Sequence, residues 1–146
     1  MNSKGFTVVE LIASFALTMI ITVFLFEVLI EVKDVFADAG TKSAIQQKFS
    51  IISKNIKNNL TSSASVQCTS ENTCNINGHN LTINQSGRKV TINGQNFEMP
   101  DTVNIKSYNL NQDCYGNNCY LNIQMVLTSG NLKHDYNYDV TYYYSS

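Results

Sequence analysis

Phe6-Thr-Val-Val-Glu-Leu-Ile-Ala-Ser-Phe-Ala-Leu-Thr-Met-Ile-Ile-Thr-Val-Phe-Leu-Phe26 holds one charge, Glu10, in 21 positions. As a helix rising ~1.5 Å per residue it would measure about 31 Å, the thickness of a bilayer's hydrocarbon core. It is long enough to span. Lys4 precedes it without an acid, whereas Glu27, Glu31, Asp34 and Asp38 follow it, so the positive-inside bias keeps Met1 cytoplasmic and sends the C-terminus outward. A cleaved secretory signal is the competing reading, with Ala37-Asp38-Ala39 as a small-x-small site. It fits poorly, because the apolar run exceeds the usual ~7–15 residues and an acidic stretch separates it from that site. Glu10 fits neither a signal nor a plain anchor. A carboxylate costs on the order of 2.5–3.5 kcal/mol at the middle of a membrane helix and somewhat less near its end, where Glu10 lies, and calls for a specific partner.

Outward from this segment, the 146-residue chain is 43% hydrophobic and 14% charged, where an average soluble domain has about 25% charged residues. Its formal net charge of −1 removes any global electrostatic pull toward nucleic acid. Fifteen of the 19 asparagines lie beyond Leu60, so an apolar N-terminal part is joined to a polar C-terminal one.

Lys4-Gly5-Phe6-Thr7-Val8-Val9-Glu10-Leu11-Ile12 resembles the class III signal of type IV pilins and pseudopilins: a short basic leader ending in glycine, then phenylalanine, a hydroxyl residue, two aliphatics, glutamate and a long apolar helix. The resemblance implies cleavage between Gly5 and Phe6 by a prepilin peptidase and N-methylation of Phe6. It also implies assembly through Glu10, whose counterpart in filaments pairs with the N-terminal amine of a neighbouring subunit. Two features modulate the likeness. The sole proline is Pro100, so the helix-kinking proline of many major pilins is absent from the apolar half. Tip subunits of secretion pseudopili typically lack the glutamate, whereas this chain keeps it.

From Val32 to Leu60 there is one glycine and no proline, and Ile45, Phe49, Ile52, Ile56 and Leu60 recur at spacings of four, three, four and four. This is the stripe of a helix that packs on one side. Gly40 is the candidate hinge within it. A continuous helix from Phe6 to Leu60 would measure roughly 82 Å. Charge along it is segregated: four acids and Lys33 lie between residues 27 and 40, four lysines and no acid between 41 and 60. Staggered parallel helices would bring unlike blocks together.

Beyond Leu60 the period becomes two. Asn77-Gly78, Ser86-Gly87 and Asn93-Gly94 punctuate short runs such as Leu81–Ile83 and Val90–Ile92, as in a meander of hairpins. Tyr120–Thr128 and Tyr136–Tyr144 read as longer strands, the second with Tyr136, Tyr138, Val140, Tyr142 and Tyr144 on one face. That tyrosine face is expected to pack on the helix or on a neighbouring subunit. The resulting expectation is an α+β fold similar to the pilin lollipop, one long N-terminal helix packed by its second half on an antiparallel sheet. Its parts would be a leader (1–5), a membrane-spanning assembly helix (6–26), an amphipathic extension (27–60) and an extracytoplasmic β head (61–146). Small hairpins closing on an aromatic strand resemble the J-type minor pseudopilins or minor competence pilins.

Cys68, Cys74, Cys114 and Cys119 all fall on the exported side, where disulfides are expected, and four cysteines allow three connectivities. A four-thiolate zinc site is disfavoured by the Cys-x5-Cys and Cys-x4-Cys spacings. Asn109, Asn111 and Asp113 have the alternate-oxygen spacing that opens a calcium loop. Cys114 and Tyr120 then stand where glycine and glutamate are needed, leaving an asparagine-rich loop as the better reading. His79 and His134 stand alone, without a nucleophile motif or phosphate loop.

No enzyme, cofactor, metal or small-molecule substrate is therefore expected. The expected function is a structural subunit, a minor pilin or pseudopilin of a type IV pilus, a type II secretion filament or a competence filament. It would be stored in the cytoplasmic membrane of a prokaryote and drawn into an extracellular or periplasmic filament. Its expected partners are other pilin or pseudopilin subunits, the prepilin peptidase and the membrane. The alternative is a filament-borne binding module for DNA uptake or adhesion. The head's four bases against six acids, net −2, weaken the DNA form.

Overall fold

The computed structural model of the chain describes residues 7–60, 65–70 and 72–145. The architecture is α+β: one long N-terminal helix, α1 (Val8–Asn59), followed by eight strands in antiparallel sheets. The chain divides into two compact units, Met1–Ala37 and Asp38–Ser146.

From Val8 onward the first unit is helix and nothing else among its described residues. No proline or β-turn residue interrupts it, and its apolar side chains have no protein cover; Phe15 is 66% and Phe24 62% exposed. Exposure continues through Leu29, Ile30 and Phe36. By length and composition this helix can cross a membrane.

In the second unit, α1 continues unbroken through Gly40, and its apolar stripe is buried on one side by Ile45, Phe49, Ile52 and Ile56. Burying each of these side chains contributes about 1.5–3 kcal/mol. The first sheet contains β1 (Val66–Ser70), β2 (Thr73–Ile76), β3 (His79–Asn84), β4 (Lys89–Ile92) and β5 (Gln95–Glu98), paired in chain order. The second contains β6 (Val103–Tyr115), β7 (Asn118–Ser129) and β8 (Tyr136–Ser145), also in chain order. Strict alternation on β7 sends Cys119, Leu121, Ile123, Met125 and Leu127 inward to a core shared by the helix and both sheets. Tyr142 and Tyr144 complete that core from β8, and the Tyr138 ring stacks on Phe49 with centroids 3.8 Å apart and planes 13° apart. The tyrosine face thus packs on the helix.

Turn chemistry explains the hairpins. Asn77-Gly78 and Asn93-Gly94 both adopt positive φ at each residue (52° and 83°, 50° and 77°), as the tightest two-residue hairpins require. The turn containing Ser86-Gly87 is longer than expected. The positive φ of 50° falls on Arg88, and the Asn84 side chain accepts the Gly87 N–H at 2.7 Å. A further departure concerns Asn109, Asn111 and Asp113, which lie on strand β6 and not in a loop. Their alternate spacing is simply the period of a strand.

Candidate assembly helix and its cap

Gly5 and Phe6, the expected cleavage and methylation residues, lie outside the described residues. Glu10 is described, and its surroundings are informative. Its Oε2 accepts hydrogen bonds from the Thr7 N–H and the Thr7 hydroxyl, each at 2.9 Å, while the Glu10 N–H donates back to Thr7 Oγ1 at 3.3 Å. This is a reciprocal capping box: Thr7 caps the helix, and Glu10, three residues on, satisfies the donors that the first turn leaves orphaned. The carboxylate also faces the positive end of the helix dipole. Glu10 therefore has a structural partner within its own chain, one that the Thr-x-x-Glu spacing signals. Among the described residues, Oε1 takes no hydrogen bond.

A polar line continues from it at helical spacing. The hydroxyls of Ser14, Thr18 and Thr22 donate to the carbonyls of Glu10, Ser14 and Thr18 at 2.8, 2.7 and 2.8 Å. Each hydroxyl is thus satisfied within the helix and needs neither water nor a neighbour. Such a line suits an apolar solvent, where an unbonded hydroxyl is costly, and small side chains let a second helix approach closely. The i, i+4 recurrence of small hydroxyl residues was visible in the sequence.

At the start of the second unit, Asp38 accepts a 2.8 Å ion-paired bond from Lys42, one turn along, and a 3.0 Å bond from the Lys133 N–H. Lys42 first and the Lys133 amide second hold its carboxyl below the ordinary aspartate range. The link ties the loop before β8 to α1.

All four cysteines form disulfides between neighbours in sequence, Cys68 with Cys74 and Cys114 with Cys119. Each bridge joins directly opposed residues of adjacent strands, β1 with β2 and β6 with β7. With every thiol in a bridge, this arrangement leaves no thiolate to ligate a zinc ion. His79 opens β3 in the first sheet, whereas His134 lies in the loop between β7 and β8 of the second.

Compared with protein-family models, curated proteins and solved structures, the chain matches none.

Proposed function

We propose that the protein is a non-enzymatic filament subunit of the pilin and pseudopilin kind, held in the cytoplasmic membrane by the first part of α1, with its head outside, and then assembled through that helix. The observation that carries this reading is the continuous helix whose first 19 residues, Val8–Phe26, are uncovered and apolar apart from a few hydroxyls and one carboxylate, Glu10, at its capped start. A soluble protein would leave such a surface exposed to water at prohibitive cost. A bundle of like helices and a lipid bilayer are similar apolar surroundings, so a subunit can pass from one to the other with little change in solvation. The Gly5-Phe6 junction and Glu10 supply the processing signal and the register.

The test is the mature N-terminus. Mass spectrometry of the processed protein is expected to find N-methylated Phe6, and Gly5→Ile is expected to leave the precursor uncut. An N-terminus at Gly40 would show ordinary signal cleavage and end the proposal.

A further inference from the structure

The sheet β6–β7–β8 has a second face, turned away from the core. Five successive rungs cross it, from Tyr115–Asn118–Ser145 to Ser107–Val126–Asn137, fifteen positions in all. None of them is buried. The only aliphatic side chain is Val126, and the only charges are Asp113 and Asp139; the remainder are amides, hydroxyls and three tyrosines. A surface designed for solubility is roughly a quarter to a third charged with both signs interspersed, whereas these fifteen positions carry two acids and no base. Here tyrosine, asparagine, serine and threonine dominate, the composition of surfaces that recognise ligands through rigid rings and adaptable hydrogen bonds.

The polar groups are held in place. Asp139 accepts Asn122 Nδ2 on Oδ1 at 2.8 Å and Gln124 Nε2 on Oδ2 at 3.0 Å, and Asn122 also donates to Thr141 Oγ1 at 3.0 Å. At the other end the Tyr120 hydroxyl donates to Asp113 Oδ2 at 3.3 Å, between Tyr115 and Tyr143, which are 73% and 82% exposed. One anchored ring, Tyr120, with two exposed rings beside it, therefore adjoins a bonded lattice of acceptors and donors, and the order of that lattice lowers the ordering cost of binding.

The chemistry selects the occupant. The five rungs hold two carboxylates and no base, and Lys106 at their border is paired with Asp135 at 2.6 Å, so the face opposes nucleic acid and other polyanions. The buried centre of a protein interface is more apolar than this face, whose one valine lies at the far end from its three tyrosines. What remains complementary is a chain of flat rings with C–H faces to stack on phenols and hydroxyl rims to meet amides and carboxylates. We propose that this face binds a polysaccharide free of acid groups. The inference stands apart from the filament reading, since it concerns the single chain.

The experiment uses the purified full chain in a detergent without a sugar headgroup, sedimented with cellulose, chitin or cross-linked polygalacturonate. Saturable binding to cellulose or chitin is expected, with none to polygalacturonate. The double variant Tyr115→Ala, Tyr143→Ala is expected to bind about tenfold more weakly. Tyr143→Phe, which keeps the ring, is expected to bind as the parent does. Failure to bind both neutral matrices, equal binding by the double variant, or equal binding to the acidic matrix would overturn the proposal. So would self-association that the double variant abolishes, which would assign the face to a second copy.

Discussion

At Glu10 two demands meet in one side chain. One oxygen closes the capping box with Thr7, and on the filament reading the other is left for the amine of a neighbour. Substitutions separate the two. Glu10→Leu loses the box, at about 1 kcal/mol of helix stability, but inserts up to ~3 kcal/mol more favourably. It is expected to be exported, cleaved and enriched in the membrane, yet missing from sheared filament fractions. Glu10→Gln keeps an acceptor for Thr7 and loses only the charge assistance, so a milder defect is expected. Thr7→Val removes the cap's hydroxyl and leaves the carboxylate; filament recovery, scored against membrane level, is expected to stay near that of the parent. Recovery lost equally in Thr7→Val and Glu10→Leu would make the cap, and not the pairing, the determinant of assembly. Glu10 also marks where the sequence is ambiguous. Its place in an apolar run points to an external partner, while its spacing from Thr7 points to an internal one, and only coordinates display the second bond.

At the scale of elements, the second half of α1 is stable because one stripe is covered. Phe49, 3% exposed and stacked on Tyr138, is the largest side chain in that stripe. Phe49→Ala is expected to destabilise the fold by about 3–5 kcal/mol through lost burial and the cavity left behind. Ile51→Ala, at a position 50% exposed, is expected to stay within about 0.5 kcal/mol. Urea denaturation of the full chain in detergent, followed by circular dichroism, measures both. The stripe was legible because its spacing is uninterrupted. Strand β6 was not, and the reason is visible in its register, which shifts between Ile105 and Ser107. Before that bulge the odd positions Val103 and Ile105 point inward; after it the even positions Tyr108, Leu110 and Gln112 do. A period-two pattern that changes phase midway does not read as one strand, so its outward Asn109, Asn111 and Asp113 look like a polar loop. The Asn-Gly hairpins were legible because their backbone needs positive φ, which few residues supply. The face built by β6, β7 and β8 was hidden for a related reason: its members come from three separate stretches and meet only through pairing.

For the molecule as a whole, the two disulfides set the redox behaviour. Each closes a short loop, worth about 2 kcal/mol by chain entropy. Protein isolated from outside the cell is expected to take up no maleimide reagent before reduction and four equivalents afterwards. Four reactive thiols without prior reduction would show that neither bridge forms in the native compartment. The α+β class and the membrane-length helix were both readable, since each rests on a long repeating pattern. The connectivity of the cysteines was open among three choices until strand pairing brought Cys68 opposite Cys74 and Cys114 opposite Cys119.

Every strand in both sheets pairs with its neighbour in the chain. Ring closure for each hairpin is therefore brief, and the head can zip up progressively as it is synthesised or threaded through a translocation channel. The helix faces the opposite schedule. Phe49 leaves the ribosome early, while Tyr138, its stacking partner, lies on the last strand to appear. The Phe49 ring must wait for that partner until nearly the whole chain is out. Completion of the fold is thus a C-terminal event, and a chain truncated before β8 would keep its hairpins while the helix lost the tyrosine part of its cover.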